Sequence, residues 1–600
     1  MKQYYTDEPH AQIVLALLKA HGVRKIVVSP GATNIPIAAS VQIDPYFEVY
    51  SCVDERSAAY MACGLAEESG EIVVLSCTGA TASRNYMPGL TEAYYRKLPV
   101  IALTSFNGNK FIGNLMPQNL DRTTIPNDVA KISVQLPVVK DKSDYDHCNL
   151  LVNKAILESI RNGGGPVHIN LTTTYKGTFE TKELPKVRCI RRFTYFDELP
   201  EFSGTKIAIF IGSHKKFTEL ETIAIESFCE KRQSVILCDH TSGYKGKYRV
   251  QSALVCSNLR KMNANWSLIK PEVVIHLGEV SGDYPSTRVL EESNEVWRVS
   301  EDGEIRDRGG NLKFVYEGTE LSFFNKKGEG QEQENNLWQL WREMEQKLRG
   351  EMPELPFSNV WIASQLSPKI PKGSYLNLAI LNSLRSWNLF NVSYSISCSS
   401  NVGGFGIDGC LSTLVGASLI NSDKLYFGVI GDLAFFYDVN VIANRHLGKN
   451  IRILLINNGC GAEFNVSTHV GSKFGKKSNE FIAAAGHFAS GEHKSSEIKP
   501  SSERSELSIA KSWASSLGFK YISSVSKSDF ESLIEEFIDE DSDVPIIFEC
   551  FTDSEKESEA LGNMSLINPS TKEKVIEKAK VILPPKIVNV AKLAVKKILK

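Results

Sequence analysis

The sequence predicts an α/β protein built from three doubly wound domains with parallel sheets. The chain has 600 residues, which is enough for several domains of about 150–200 residues each. In three segments, apolar strand-like runs alternate with amphipathic helical stretches, the pattern of parallel α/β domains. A Pro- and charge-containing stretch at 182–200 and a polar run at 325–336 separate these segments.

The predicted domains cover residues 1–190, 200–330 and 355–562, with an extension at 563–600. Strands of the first domain are read in KIVVSP, IVVLSCT, LPVIALTS and PVHINL. Strands of the second are read in IAIFIG, SVILCD, VVIHLG and EVWRVS, and those of the third in SYLNLA, LYFGVIGD, RILLINNG and PIIFECF. The first and third segments have a similar size and pattern, which is compatible with a duplicated architecture.

Composition excludes several functional classes. A net charge of −2 gives no electrostatic case for nucleic-acid binding. No apolar run approaches the ~18–20 residues of a membrane span, and the N-terminus lacks the basic start and apolar core of a signal peptide. The twelve cysteines contain no C-x-x-C pair, so we expect reduced thiols in a cytoplasmic protein and no structural zinc.

Polar residues follow two apolar runs in the third segment. Asp432 follows the run 426–430, and Asn458 follows the run 451–456. Because ligands bind at the carboxyl ends of parallel strands, these two side chains could offer oxygens to one Mg²⁺ ion. The alternative interpretation is a helix cap and an ordinary turn. The occurrence of both features after strands favours the metal site.

Gly431-Asp432-Leu433, followed after about 25 residues by Asn457-Asn458, resembles the diphosphate–Mg²⁺ motif of thiamin-diphosphate-dependent enzymes. Leu433 in place of the usual Gly is similar to the menaquinone-pathway carboligases (SEPHCHC synthases, MenD type). This resemblance implies thiamin diphosphate and Mg²⁺ as cofactors. It assigns Asp432, the side chain of Asn458 and the carbonyl of Cys460 as metal ligands. Gly431 and Leu433 would then contact the cofactor.

Glu55 is the candidate catalytic residue. Taken alone, Asp54-Glu55 reads as an acidic pair at a helix N-terminus. The flanking run from DERSAAYMACG to SCTGATAS resembles the family's N-terminal domain, where a Glu activates the cofactor through its aminopyrimidine ring nitrogen. The resemblance also implies further cofactor-binding residues: Gly31, Thr78, Gly79, Asn85 and Ile407. The alternative for Ile407 is an ordinary core residue.

The resemblance also implies the names of the domains and the assembly. The three domains would be the pyrimidine-binding domain, a central Rossmann-like domain and the diphosphate-binding domain. In the family, the pyrimidine-binding domain of one subunit and the diphosphate-binding domain of another build each active site. We therefore expect a homodimer or a tetramer.

The substrate positions depart from the family pattern. The menaquinone-pathway enzymes use arginines, which bind carboxylates in a bidentate manner, for 2-oxoglutarate and isochorismate. Here Thr33, Asn107 and Val402 stand where arginines are expected, whereas Gln118 is retained and Arg288 matches a basic residue of the middle domain. We predict intact cofactor machinery with a different substrate pair.

The predicted activity is decarboxylation of a 2-oxo acid and transfer of the acyl unit to an acceptor, either a carbonyl compound or an enone. The alternatives are a simple 2-oxo acid decarboxylase and, more remotely, a non-catalytic cofactor-binding protein. A dinucleotide oxidoreductase lacks support because no G-x-G-x-x-G follows a first strand. His469 and His487 lie in an irregular region, 466–505, that reads as an active-site flap or a mobile surface loop. Each is either a proton shuttle or an ordinary surface or packing histidine.

The C-terminal tail carries a separate prediction. Residues 585–600 read as a basic amphipathic helix with no acidic residue. Such a helix either docks on the protein body or makes weak contact with an anionic membrane surface.

Overall fold

The computed structural model describes residues 4–174, 177–259, 264–328, 336–466, 469–489 and 495–567. The chain forms two compact units, Met1–Glu198 with Glu295–Gly318, and Leu199–Asn294 with Thr319–Lys600. Within the described ranges, no helix combines the length and the apolarity needed to cross a membrane. The predicted basic helix at 585–600 lies outside the described residues, so its membrane contact stays a prediction, as do the predicted domain limits.

The N-terminal segment contains a parallel sheet. Its strands are β1 (Lys25–Val28), β2 (Glu48–Ser51), β3 (Val73–Cys77), β4 (Val100–Phe106), β5 (Ser133–Leu136) and β6 (Val167–Thr172). They are ordered β2-β1-β3-β4-β6-β5, with every pair parallel. β3 and β4 are buried along their whole length, as expected for central strands that helices cover on both faces.

Helices cover both faces of this first sheet. They are α1 (Pro9–Ala20), α2 (Ile35–Ile43), α3 (Glu55–Ser69), α4 (Thr81–Asn85), α5 (Met87–Tyr95) and α6 (Lys142–Ile160). One core joins α1 and α6 to the sheet, and another joins α3 and α5 to its opposite face. A side chain at Gly89 of α5 would collide with α3, since its Cβ would lie 2.4 Å from Ala59 Cβ. This close approach fixes the helix that begins at Glu55.

The middle segment is also parallel. Its strands are β7 (Arg191–Thr194), β8 (Ile207–Ile211), β9 (Val235–Cys238), β10 (Arg249–Gln251), β11 (Val273–Leu277), β12 (Glu295–Ser300) and β13 (Leu312–Glu317). The unit that contains 199–294 holds the order β10-β9-β8-β11. The other unit holds β12-β13-β7. The helices are α7 (Glu219–Arg232), α8 (Ser252–Asn258), α9 (Ala264–Ile269), α10 (Tyr284–Glu292), α11 (Glu320–Lys327) and α12 (Leu337–Gly350).

The C-terminal segment contains another parallel sheet. Its strands are β14 (Tyr375–Leu378), β15 (Ser397–Ser399), β16 (Tyr426–Gly431), β17 (Ile451–Asn457), β18 (Lys520–Ser524) and β19 (Ile546–Phe551), in the order β15-β14-β16-β17-β19-β18. The helices are α13 (Asn359–Leu366), α14 (Asn382–Trp387), α15 (Cys410–Ser418), α16 (Asp432–Asp438), α17 (Ser478–Phe481), α18 (Ser501–Glu506), α19 (Ile509–Ser516), α20 (Lys527–Phe537) and α21 (Ser554–Met564).

The first and third sheets have the same topology. Numbered from its own first strand, each sheet has the order 2-1-3-4-6-5. The α/β fold class is confirmed, and the duplicated architecture with which the sequence was compatible is present. Glu55 follows the second strand of its sheet, whereas Asp432 and Asn458 follow the third and fourth strands of theirs.

Candidate active site

The structure brings the predicted metal-binding residues to neighbouring strand ends. β16 and β17 pair in parallel register, with Gly431 opposite Ile456. Asp432 is the first residue of α16, directly after β16, and Asn458 directly follows β17. Both side chains are buried, with 2% and 7% of their surface exposed. These positions fit the metal site as well as the helix-cap and turn alternative. The role of Asp432 and Asn458 as Mg²⁺ ligands therefore stays a prediction.

The Asp432 carboxylate is held by two backbone donors. Its Oδ1 accepts a 2.8 Å hydrogen bond from the N–H of Leu433, and its Oδ2 accepts a 2.6 Å hydrogen bond from the N–H of Gly459. Burial raises the pKa of this carboxyl to about 6, against the opposing effect of the two backbone donors and of Arg504 nearby. A buried carboxylate of this kind is poised to gain from a cation.

The loop after β17 shapes the rest of this site. Gly459 has a φ of 83°, a left-handed conformation that favours glycine. The Asn458 Oδ1 accepts a 3.2 Å hydrogen bond from the N–H of Cys460, and the Cys460 carbonyl accepts one of 2.9 Å from the N–H of Ala462. The side-chain oxygens of Asp432 and Asn458 and the carbonyl oxygen of Cys460 are hard ligands of the kind that Mg²⁺ prefers.

Sequence reasoning missed Arg504, which braces this loop. Its guanidinium donates hydrogen bonds of 2.9 and 2.6 Å to the carbonyl and side-chain oxygens of Asn457, and one of 2.5 Å to the carbonyl of Thr552. Arg504 thereby connects the ends of β17 and β19. It lies at the C-terminal end of the region 466–505. At least this part of the region is therefore bonded to the residue that precedes Asn458, the predicted metal ligand. An arginine in a Ser-rich stretch gives no local signal of that role.

Three of the predicted cofactor-binding residues meet in the N-terminal segment. A Cβ on Gly31 would lie 2.2 Å from the Cβ of Thr78, so the two loops after β1 and β3 touch. The Thr33 hydroxyl lies 2.6 Å from that of Thr78, donates to the carbonyl of Ser105 at 2.8 Å, and accepts from the N–H of Gly79 at 3.3 Å. These contacts join the carboxyl ends of β1, β3 and β4.

The other residues expected beside the cofactor lie on the surface of their segments. Glu55 is partly exposed at the first position of α3, and Asp54 caps that helix by accepting a 2.8 Å hydrogen bond from the N–H of Ser57. The helix-terminal interpretation therefore fits Asp54 and leaves the Glu55 carboxylate available. Asn85 is exposed at the end of α4, and Ile407 is partly buried in the loop before α15.

The expected substrate residues fall into different environments. Asn107 lines a cavity of ≈ 870 Å³ beyond the ends of β4, β5 and β6, together with Lys110 and Lys140. Gln118 is exposed, and its backbone carbonyl would lie 3.4 Å from a Cβ on Gly79. Val402 is buried, with 2% of its surface exposed.

Arg288 is already engaged within its own unit. Its Nε donates a 2.6 Å hydrogen bond to Glu292, its guanidinium stacks on Trp266, and Nη1 donates to the carbonyl of Leu259. Its assignment as a substrate residue stays a prediction.

The two histidines of the region 466–505 also differ. His469 accepts a 3.0 Å hydrogen bond from the N–H of Gly471 at its Nδ1 and packs edge-on against Phe464. His487 is exposed. His469 thus has a local structural role, and a proton-transfer role for either residue stays a prediction.

Comparison with known proteins identifies the family. A family profile described as "Thiamine pyrophosphate enzyme, N-terminal TPP binding domain" matches residues 10–125. The 2-succinyl-5-enolpyruvyl-6-hydroxy-3-cyclohexene-1-carboxylate synthase of Phocaeicola vulgatus is 31% identical over 573 residues, covering 93% of this chain and 98% of that protein. The chain belongs to the 2-succinyl-5-enolpyruvyl-6-hydroxy-3-cyclohexene-1-carboxylate synthase family. Proteins of the same description from Bacteroides thetaiotaomicron and Bacteroides fragilis are 31% and 29% identical, again over 93% of this chain and 98% of each protein.

Membership of this synthase family confirms three predictions. The protein is an enzyme, its cofactor is thiamin diphosphate, and its reaction class is 2-oxo acid decarboxylation coupled to carboligation. The profile match includes Glu55 and the loops after β1 and β3. Asp432, Asn458 and Cys460 lie outside that match. Their oxygens are of the kind that Mg²⁺ prefers, and their role as its ligands stays a prediction.

Proposed function

We propose that this enzyme uses thiamin diphosphate and Mg²⁺ to decarboxylate a 2-oxo acid and to transfer the acyl unit to an acceptor, with a less anionic substrate pair than its named relatives use. The observation that carries the substrate part is the environment of Thr33 and Val402, both buried and neutral where arginines are expected. Each lost charge-assisted contact to a carboxylate corresponds to about 1.5–3 kcal/mol.

The diphosphate end of the site is assigned to the loops after β16 and β17. Asp432 and Asn458 would bind Mg²⁺ through side-chain oxygens, and Cys460 through its carbonyl. The buried, hydrogen-bonded carboxylate of Asp432 supports this assignment, because an oxygen donor set held by backbone bonds needs little rearrangement to receive the cation.

The activating acid is assigned to Glu55. Bound thiamin diphosphate supplies the electron sink for the loss of carbon dioxide. Glu55 would hold a proton at the ring nitrogen of the cofactor's aminopyrimidine. Its position supports this role: Glu55 begins α3, whose first turn is capped by Asp54 and whose backbone packs closely on Gly89 of α5. Gly31, Thr78, Gly79, Asn85 and Ile407 would line the remainder of the cofactor site.

We further propose that the enzyme acts as a homodimer, or a pair of dimers, in the cytoplasm. The partly exposed Glu55 is suited to reach a cofactor held by a second copy of the chain.

The cysteines are free thiols, most of them buried, which fits a reducing compartment.

The substrate positions support a donor with a single carboxylate and a neutral acceptor. The Thr33 hydroxyl is occupied by Thr78, Gly79 and Ser105. Val402 packs closely against Gly282: a Cβ atom added to this glycine would lie only 2.9 Å from Cγ1 of the valine. Neither residue can offer a charge. Lys110 and Lys140 beside Asn107 are the cations through which one carboxylate could still be bound.

Kinetics with donors of different charge test this proposal. Monocarboxylic and dicarboxylic 2-oxo acids of equal chain length are compared as donors, with and without carbonyl and enone acceptors. We expect kcat/KM to favour the monocarboxylic donor by at least about 10-fold, the effect of one lost charged contact. Efficient ligation of 2-oxoglutarate to isochorismate would contradict the proposed specificity. A large loss of that activity in Lys110→Gln or Lys140→Gln would then show that lysines replace the arginines.

A further inference from the structure

Arg122 carries a buried charge with no partner in the part of the chain that is described. Only 4% of its surface is exposed. Its Nε, Nη1 and Nη2 atoms are all buried, and none has a hydrogen-bond partner. The guanidinium stacks on the ring of Phe106, with its carbon 4.6 Å from the ring centroid. Phe106 makes a cation–π contact with the face of the guanidinium, but it accepts no hydrogen bond from the N–H groups.

A small cavity lies beside this guanidinium. Its volume is ≈ 20 Å³, and its polar lining includes Tyr86, Thr104 and His168 together with Arg122 itself. A cavity of about 10–15 Å³ is enough for one water molecule. The space therefore admits a monatomic ion or one water molecule, and it is too small for a 2-oxo acid or another organic substrate.

None of the residues that line the cavity is acidic. Burial and Arg122 lower the pKa of His168 to about 3, so its ring is neutral, and both ring nitrogens are bonded, to Thr104 at 2.7 Å and to Ser133 at 2.7 Å. Burial raises the pKa of the Cys77 thiol to about 12. Asp121 accepts from the N–H and the hydroxyl of Thr123 instead.

Arg122 nevertheless remains charged at neutral pH. Burial and the nearby Arg84 lower its pKa only to about 10. A buried guanidinium that keeps its charge needs a counter-ion or charge-assisted hydrogen bonds. A water molecule could accept one of these donors but would leave the charge uncompensated.

We propose that this cavity is a binding site for a monatomic anion, with chloride as the physiological halide, held by the Arg122 guanidinium. The site joins the segment after Gln118 to the sheet through Phe106 of β4 and His168 of β6. Binding would stabilise the folded chain increasingly as the anion concentration rises above the dissociation constant, since the folded state alone forms the site.

Bromide diffraction tests the site directly. Crystals of the thiamin diphosphate- and Mg²⁺-loaded enzyme are soaked in sodium bromide, and anomalous scattering is recorded at the bromine edge. We expect a bromide peak within hydrogen-bond distance of the Arg122 guanidinium. A cavity that contains water or nothing, while bromide occupies surface sites, would overturn the proposal.

Thermal unfolding of the same holoenzyme provides the matched comparison. Chloride is exchanged for gluconate, an anion too large for the cavity, at constant ionic strength. We expect the wild type and Arg96→Gln, an exposed control position directly after α5, to show a Tm that rises with the logarithm of chloride concentration. Arg122→Gln should require at least tenfold more chloride for the same rise, or show no rise. Equal chloride dependence in Arg122→Gln, or none in the wild type, would refute the site. If Arg122→Gln does not fold, the bromide measurement on the wild type decides.

Discussion

The backbone N–H of Gly459 donates a 2.6 Å hydrogen bond to Oδ2 of Asp432. This bond connects the loop after β17 to the first residue of α16, and it holds the carboxylate where the ends of two parallel strands meet. The other carboxylate oxygen accepts from the N–H of Leu433 at 2.8 Å. Two backbone N–H groups therefore hold the Asp432 carboxylate, the proposed metal ligand, in place.

Replacing that side chain should remove the cation. In Asp432→Asn, we expect the Mg²⁺-dependent affinity for thiamin diphosphate to fall by more than about 100-fold, beyond the 10–100-fold typical of outer-sphere partners. Isothermal titration calorimetry with and without Mg²⁺ measures this affinity. Asp423→Asn, an exposed acid before β16, is the control and should bind as the wild type does. Unchanged affinity in Asp432→Asn would place the metal elsewhere.

Arg504 should act on the same affinity through the loop. Arg504→Gln loses the donors to Asn457 and Thr552, so we expect about 10- to 100-fold weaker Mg²⁺-dependent cofactor binding. Arg504→Lys keeps the charge but not the forked geometry of the guanidinium. Its Mg²⁺-dependent cofactor affinity should lie between that of the wild type and that of Arg504→Gln. Arg445→Gln, at an exposed position, is the control. Wild-type binding by Arg504→Gln would show that the loop holds its shape without this brace.

Glu55 should affect turnover and not cofactor affinity. In Glu55→Gln, we expect kcat to fall at least about 100-fold, because a positioned acid or base typically contributes 10²–10⁴-fold, while cofactor Kd stays within a few-fold of wild type. Glu68→Gln, exposed on the same helix, should leave both unchanged. Carbon dioxide release within tenfold of wild type in Glu55→Gln would refute the assignment.

The buried His240 should make the free energy of unfolding depend on pH. Its Nε2 lies 3.0 Å from the carbonyls of both Trp387 and Phe390, and burial lowers its pKa to about 3. Between pH 6.5 and 3 the unfolded chain binds a proton here that the folded chain does not, so stability falls as pH falls. At pH 5 this single group accounts for about 2 kcal/mol. Urea unfolding at pH 7 and 5 should show a smaller loss in His240→Gln than in the wild type; equal losses would contradict this.

Much of the fold could be predicted from the sequence, because buried central strands such as β3, β4, β16 and β17 are continuous apolar runs. The strands missed in the first and third sheets, β5, β15 and β18, lie at sheet edges, where bonding on one side only leaves short and more polar segments with no distinctive pattern. The sequence analysis also missed β7, β10 and β13, and an edge position does not explain β13, which pairs with both β12 and β7. Topology in turn explains why Asp432 and Asn458 could be paired in advance, since consecutive parallel strands end at the same edge.

Arg504 and Arg122 show what the sequence could not provide. Both are arginines in polar stretches that usually read as surface, yet Arg504 binds three oxygens at two strand ends and Arg122 is buried on Phe106. Arg504 contacts residues 47 and 48 positions away in the chain, and Arg122 contacts Phe106 across a turn of the fold, so no local sequence pattern indicates either role.

Carboxyl-labelled 2-oxo acids test the central claim, decarboxylation coupled to ligation on thiamin diphosphate, most directly. The holoenzyme, its cofactor content verified by calorimetry, is incubated with the donor panel and acceptors, and labelled carbon dioxide and ligated product are quantified together. We predict release that requires both thiamin diphosphate and Mg²⁺, and a product whose mass equals donor plus acceptor minus carbon dioxide. No cofactor-dependent release from any donor, or release with no ligated product under any acceptor, would contradict this account.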